Sequence, residues 1–192
     1  MAQYASDGPT PAPSVSWTDD PLSTSIQRKA VHITELRNAI TSLKSHTHIF
    51  PHGAGSSISG GPSPAPSDSW TDNPLVVGVT LRKAAHGNEI ITALKALDGH
   101  LHSIPAYDPN HSGTKNSDAY SPGFTFLKDP LVAGVDKPRA DVHNQLRTHI
   151  ESLATHTHTA CCECECTCTC TCTCTCQCQC TCTCECTCDA QI

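Results

Sequence analysis

The chain has 192 residues and a formal net charge of −6, with twelve Lys and Arg against eighteen Asp and Glu. That balance excludes a generic basic nucleic-acid surface, and no apolar run approaches the ~20 residues needed to span a bilayer. The apolar share of 38% includes 15 Cys confined to Cys161–Cys188, and 14 Pro and 11 Gly interrupt the rest, so a large single enzyme core is not expected.

Met1–Pro13 has neither a basic n-region nor an apolar h-region, so no signal peptide is visible. From there the chain repeats itself. Trp17-Thr18-Asp19-Asp20-Pro21-Leu22 returns as Trp70-Thr71-Asp72-Asn73-Pro74-Leu75 and, degraded, as Phe126-Leu127-Lys128-Asp129-Pro130-Leu131. Each copy is followed by basic residues, an apolar-periodic stretch and a His-x-His. These boundaries divide the chain into repeat 1 (1–52), repeat 2 (53–102), repeat 3 (103–160) and a cysteine tail (161–192).

The periodic stretches predict helices. Ile33, Leu36, Ile40 and Leu43 fall at the spacing of a narrow helix–helix seam. The equivalent positions are Gly87, Ile90, Leu94 and Leu97, then His143, Leu146, Ile150 and Leu153. Ser25, Thr80 and Asp136 are the expected N-caps, with Pro138 tolerated in a first turn. The segments Ser6–Ser14, Gly53–Ser67 and Ser103–Gly123 are rich in Pro, Gly and Ser and are expected to be stiff exposed linkers. The Trp motifs are expected to be turn and packing elements. The fold class that follows is mainly α: small helical repeats joined by Pro/Gly-rich linkers, plus a long extended β tail that pairs between subunits. A repeat of this size buries little alone, so the helices should pack with one another or with other subunits.

Each helix is followed by a pair: His46 and His48, His100 and His102, His156 and His158. Six imidazoles from equivalent positions can converge on a metal ion. The plainer alternative is helix termination, with the imidazole meeting free C-terminal carbonyls. Residues at i and i+2 do not share a helix face, so both members of a pair can ligate only where the chain is extended. His32, His52, His86, His111, His143 and His149 form no comparable pattern and are expected at the surface or at interfaces.

The tail carries Cys161, Cys162, Cys164, Cys166, Cys168, Cys170, Cys172, Cys174, Cys176, Cys178, Cys180, Cys182, Cys184, Cys186 and Cys188. From Cys162 onward the alternation is perfect, and the intervening residues are Thr, Glu or Gln. Period two is that of a β-strand, with thiols on one face. Fully extended, the stretch would span roughly 90 Å, with no residue that favours a tight turn. Its backbone groups need partners. Stacking with tails of other copies would supply them and would bring thiols within disulfide range. The sequence therefore predicts a structural, self-assembling subunit of a fibre, filament or sheath, cross-linked by disulfides or metal thiolates.

Two rival readings apply to the tail. Its Cys-x-Cys steps resemble those of metallothioneins, which implies thiolate binding of zinc, copper or cadmium; the unbroken alternation and absent lysines depart from that family, and the cofactor expected of the chain, if any, is a thiophilic transition metal (Zn, Cu or Ni). A Cys/Thr core after a long leader also fits the precursor of an azole-modified peptide. No reactive-cysteine setting, phosphate loop or haem motif is present, so the chain is not expected to be an enzyme.

The stretch Trp17–Leu22 with Lys29-Ala-Val-His-Ile-Thr-Glu-Leu-Arg-Asn-Ala-Ile40 resembles repeats of secreted and cell-surface bacterial proteins. The resemblance implies an extracellular architectural or adhesive module with no catalytic residues to carry over. An extracellular setting would let the thiols oxidise. An odd count of 15 leaves at least one thiol for a bond between chains. Replacing Cys170, Cys172, Cys174 and Cys176 with Ser is expected to abolish covalent locking between chains while sparing the helical repeats. Polymers of that variant that survive boiling in detergent and reductant would exclude the lock.

Overall fold

The computed structural model describes residues 3–23, 25, 29–52, 55–76, 83–105, 114–135, 139–161, 163–166 and 188–191. In chain order they form β1 (Gln3–Ala5), α1 (Ala30–Lys44), β2 (Ile49–His52), β3 (Gly55–Ile58), β4 (Pro62–Ser63), α2 (Ala84–Leu97), β5 (Leu101–Pro105), β6 (Thr114–Asn116), α3 (Ala140–Ala154), β7 (Thr159–Cys161), β8 (Glu163–Cys166) and β9 (Cys188–Gln191).

The three helices pack on one another within a single chain. Their seams supply one core: Leu36, Ile40 and Leu43 meet Ile90, Leu94 and Leu97, and Leu146, Ile150 and Leu153, all fully or almost fully buried. This is the outcome of three narrow apolar stripes facing a common axis. Gly87 stands where Ile33 and His143 stand in the other repeats. A Cβ there would come within 2.4 Å of the Leu131 side chain, so the missing side chain makes room for that leucine.

The mainly helical expectation is corrected. The fold is mixed α/β, because segments read as linkers form short antiparallel strands. β3 pairs with β2, β6 with β5, and β1 with β7. Past each pairing the chain crosses to a new neighbour. Ser6, Ser59 and Ser117 donate their amides to the carbonyls of His158, His48 and His102. The next residues, Asp7, Gly60 and Asp118, donate to Ile49, Ser103 and Thr159. Backbone pairing thus passes from repeat 3 to 1, from 1 to 2 and from 2 to 3, closing a ring. Proline and glycine content suggested exposed linkers, but backbone groups brought beside one another at the helix ends pair rather than stay solvated.

The expectation of one unbroken extended tail strand is corrected: its two described ends, β8 and β9, pair antiparallel with each other, Glu163 opposite Gln191 and Cys166 opposite Cys188. An extended strand takes the nearest complementary edge, and here that edge is its own other end. Residues 167–187, with most of the alternating cysteines, lie outside the described residues.

The helices begin at Lys29, Lys83 and Arg139, whose backbones are extended, rather than at the caps expected from sequence. Thr80, Asp136 and Pro138 lie outside the described residues, and Ser25 precedes α1 without capping it. The first turns of α1 and α2 use histidine instead. His32 and His86 accept the Lys29 and Lys83 amides at Nδ1 and donate through Nε2 to Asp19 and Asp72, at 3.2 and 3.0 Å.

Each Trp motif packs on the helix of a neighbouring repeat. Arg147 of α3 lies over the Trp17 ring, donates to the Thr18 carbonyl and faces Glu35 of α1. Arg37 of α1 does the same with Trp70, Thr71 and Glu89 of α2. At the third interface all three partners change together: Ile91 replaces the arginine, Gln145 the glutamate and Phe126 the tryptophan. Gln145 still accepts the Leu127 amide at 2.8 Å, as Glu35 and Glu89 accept those of Thr18 and Thr71. Where the buried cation is absent, the neutral amide of Gln145 stands in place of its carboxylate partner, which avoids an uncompensated charge. Arg147→Ile alone is therefore expected to cost about 3 kcal/mol in denaturant unfolding, and adding Glu35→Gln should recover most of it. A double variant no more stable than the single one would refute this coupling.

Candidate metal centre

Beyond Lys44, Leu97 and Ala154 the chain leaves the helix and becomes extended, so residues two apart point the same way. His46, His48 and Phe50 turn inward from repeat 1, His100, His102 and Ile104 from repeat 2, and His156, His158 and Ala160 from repeat 3. All are buried, the six histidines to between 0 and 4% exposure. Phe50, Ile104 and Ala160 gather into a small apolar cluster of their own. The histidines follow directly on the helix-end leucines Leu43, Leu97 and Leu153, so the cage sits between that cluster and the helical core.

Every ring is held from behind by a backbone carbonyl. The first histidine of each pair donates from Nδ1 to a last-turn carbonyl of its helix: His46 to Leu43 at 2.5 Å, His100 to Leu97 at 2.6 Å and His156 to Leu153 at 2.6 Å. The second donates to the crossing segment: His48 to Asp7 at 2.6 Å, His102 to Gly60 at 2.7 Å and His158 to Asp118 at 2.7 Å. A carbonyl only accepts, so each Nδ1 carries the proton and each Nε2 is left with a lone pair. Helix termination and ligand presentation are one device here: the hydrogen bond that caps the helix also sets the tautomer.

Three serines brace the cage from equivalent places. Ser59 Oγ accepts the His48 amide at 2.8 Å, Ser117 Oγ that of His102 at 2.9 Å and Ser6 Oγ that of His158 at 2.9 Å. Each hydroxyl also lies 3.2–3.3 Å from Nδ1 of the next repeat's second histidine: Ser59 from His102, Ser117 from His158 and Ser6 from His48. Sequence reading missed these residues. The available signal was a Ser followed by Asp or Gly upstream of each motif, at positions 6, 59 and 117, diluted by the other serines nearby.

The Nε2 atoms face one another across short gaps. His46–His156 is 3.3 Å, His48–His156 3.2 Å, His100–His156 3.1 Å, His46–His102 3.1 Å and His100–His158 3.2 Å. Neighbouring rings meet edge to face with centroids 4.7–5.2 Å apart. Only His46/His158, His48/His100 and His102/His156 lack such a contact. Each of these pairs joins the first histidine of one repeat to the second of another, as the three trans axes of an octahedron would. A point equidistant from corners with such edges lies ~2.2–2.3 Å from each nitrogen, close to first-row metal–imidazole bond lengths. These buried histidines can hold a metal ion.

Burial also keeps the rings neutral. Desolvation, opposed in part by the Nδ1–carbonyl bonds and reinforced by neighbouring imidazoles, pulls His46 and His100 down to about 4, His102 to about 3 and His156 to about 2. His48 and His158 are lowered as well, chiefly by desolvation. At neutral pH all six lone pairs are therefore available to a cation.

The other histidines divide. His32, His86 and His143 are buried in the bundle rather than at the surface. His149 stacks on Phe124 with centroids 4.4 Å apart. The side chain of His52 and all of His111 lie outside the described residues, as do the side chains of every cysteine from Cys161 on, so the thiol cross-link or thiolate site falls there too. No described helix is long and apolar enough to cross a membrane. No family model, curated protein or solved structure matches the chain.

The pH dependence of the metal-free chain follows from the cage. Unfolded imidazoles take protons below about pH 6.5, whereas the caged ones with folded values of about 4 or less do not. Stability is therefore expected to fall as pH drops from about 6.5 towards 4. Urea unfolding at pH 7.5, 6.0 and 5.0 checks this, and a flat profile would contradict a neutral cage.

Proposed function

We propose that the chain is a non-enzymatic structural protein. Its three repeats are pinned around one divalent first-row transition-metal ion by His46, His48, His100, His102, His156 and His158. The observation that carries this reading is the octahedral convergence of six unprotonated Nε2 atoms in a sealed site. Six protein ligands leave no open coordination position for substrate or water, which is the mark of a structural rather than a catalytic centre. Among the metals weighed from sequence, structural zinc favours four ligands and Cu(II) a tetragonal field. A regular octahedron of imidazoles suits Ni(II), and equally Fe(II) or Co(II). The donors are neutral, so the ion keeps its charge, offset by the carbonyl dipoles behind the rings.

The pinned head would carry the Cys162–Cys188 tail. Its perfect alternation supports the second element of the proposal: in an extracellular fibre or sheath, tails link copies of the chain through disulfides or metal thiolates. The thiophilic, metallothionein-like chemistry belongs to the tail, and the imidazole chemistry to the head.

Metal analysis and X-ray absorption on the full chain, with its thiols alkylated, test the head. One ion per chain is expected, with six nitrogen neighbours at about 2.2 Å and no sulfur. An ion present at 1,000 times its dissociation constant should add about 4 kcal/mol of stability, and His156→Ala should remove both ion and gain. Four-coordinate metal, or no tight binding, would overturn the reading.

A further inference from the structure

The three crossings that brace the cage are alike in hydrogen bonding but not in how the chain tethers them. Ser59 and the His48 amide it accepts are 11 residues apart, and Ser117 and His102 are 15 apart. Ser6 and His158 are 152 apart. Two crossings are thus hairpins that re-form at once if they open. At the third, between repeats 3 and 1, the crossing strand has no hairpin connection to its partner: the three-residue β1 lies against β7, Ser6 bonds His158, and Asp7 and Thr10 bond Ile49 and Thr47 of repeat 1. Its two strands lack the short covalent connection that keeps the other two pairs at high local concentration, so this seam is the weakest tethered of the three.

Burial of all six histidines leaves an ion no path in or out of the closed ring, so one seam must part. Resting on the metal-pinned reading above, we infer that the β1–β7 seam is the gate through which the ion loads and leaves, and that the bound ion holds it shut. The coupling is direct. Asp7 supplies the carbonyl behind His48, and Ser6 accepts the amide of His158 while touching His48 Nδ1, so the strap fixes one ligand from each repeat that flanks the seam. An ion bound to His48 and His158 draws those two repeats together, which restores the acceptor and donor positions β1 needs. Opening disturbs both rings at once. The seam also ends at Gln3 opposite Cys161, so the base of the tail is released or held by the same event.

The equivalent serines give a matched test. The full chain, thiols alkylated, is loaded with Ni(II), and release to excess chelator is timed for wild type, Ser6→Ala and Ser59→Ala. The chemical change is the same in both variants, a lost acceptor for a buried amide. Release is expected to quicken about tenfold in Ser6→Ala, and by less than threefold in Ser59→Ala because the hairpin recloses. Equal acceleration would overturn the gate while leaving the metal centre intact; failure of wild type to bind any of Ni(II), Co(II) and Fe(II) would remove both.

Amide exchange on the wild type avoids reliance on variants. Without metal, the Ser6 and Asp7 amides should exchange at least tenfold faster than those of Ser59 and Gly60. Ni(II) should abolish most of that difference. Uniform exchange at the two crossings would refute the inference.

Discussion

Six imidazole nitrogens, each with its lone pair directed at the others across about 3.2 Å, form an arrangement that polar groups do not adopt unaided. Nothing in the cage can donate across those gaps, because every ring proton is committed to a carbonyl behind it. The rest of the fold supplies that commitment. Helix ends provide three carbonyls, crossing segments provide three more, and the serines fix the backbone on which the second ligands sit. A cation at the centre would turn mutual repulsion into six bonds. The helical bundle above and the Phe50, Ile104 and Ala160 cluster below keep water from competing for them.

The ring is threefold in its chemistry yet carried by one chain, and the chain breaks the symmetry where it matters. Two interfaces use an arginine, a glutamate and a tryptophan, and the third uses Ile91, Gln145 and Phe126. Changing one partner alone would strand a buried charge; changing the set does not. The closure is asymmetric too, since two crossings are hairpins and the third joins the ends of the repeat array. A homotrimer of single repeats would have three equal interfaces and no privileged seam. Covalent linkage makes a preferred place to open possible.

On the proposed reading, head and tail would use different metal chemistry. Neutral imidazoles in a closed octahedron suit a divalent ion that stays put, while a row of thiols suits cross-linking or soft metals. β7 joins the two directly: His158 lies in the cage, Thr159 and Ala160 pair with the strap, and Cys161 begins the tail. Whatever orders the cage therefore orders the root of the tail.

Much of this was legible in the sequence. The threefold repeat, the three helices, their seam residues and all six candidate ligands follow from spacing and periodicity, which are local properties of the chain. The alternation of His46, His48 and Phe50, and its counterparts, even carries the period of the strand that turns the ligands inward. Tertiary structure decided the rest. Short strands formed in segments rich in Pro, Gly and Ser, because their backbone groups met partners only once the helices were packed. The sequence set helix termination against metal binding, yet one arrangement is compatible with both: the first histidine of each pair meets a last-turn carbonyl, and the second is fixed by carbonyls from elements up to 42 residues away in the chain. The serine braces, the matched exchange at the third interface and the one untethered seam are relations between repeats. No single stretch of sequence contains them, so only the folded ring could reveal them.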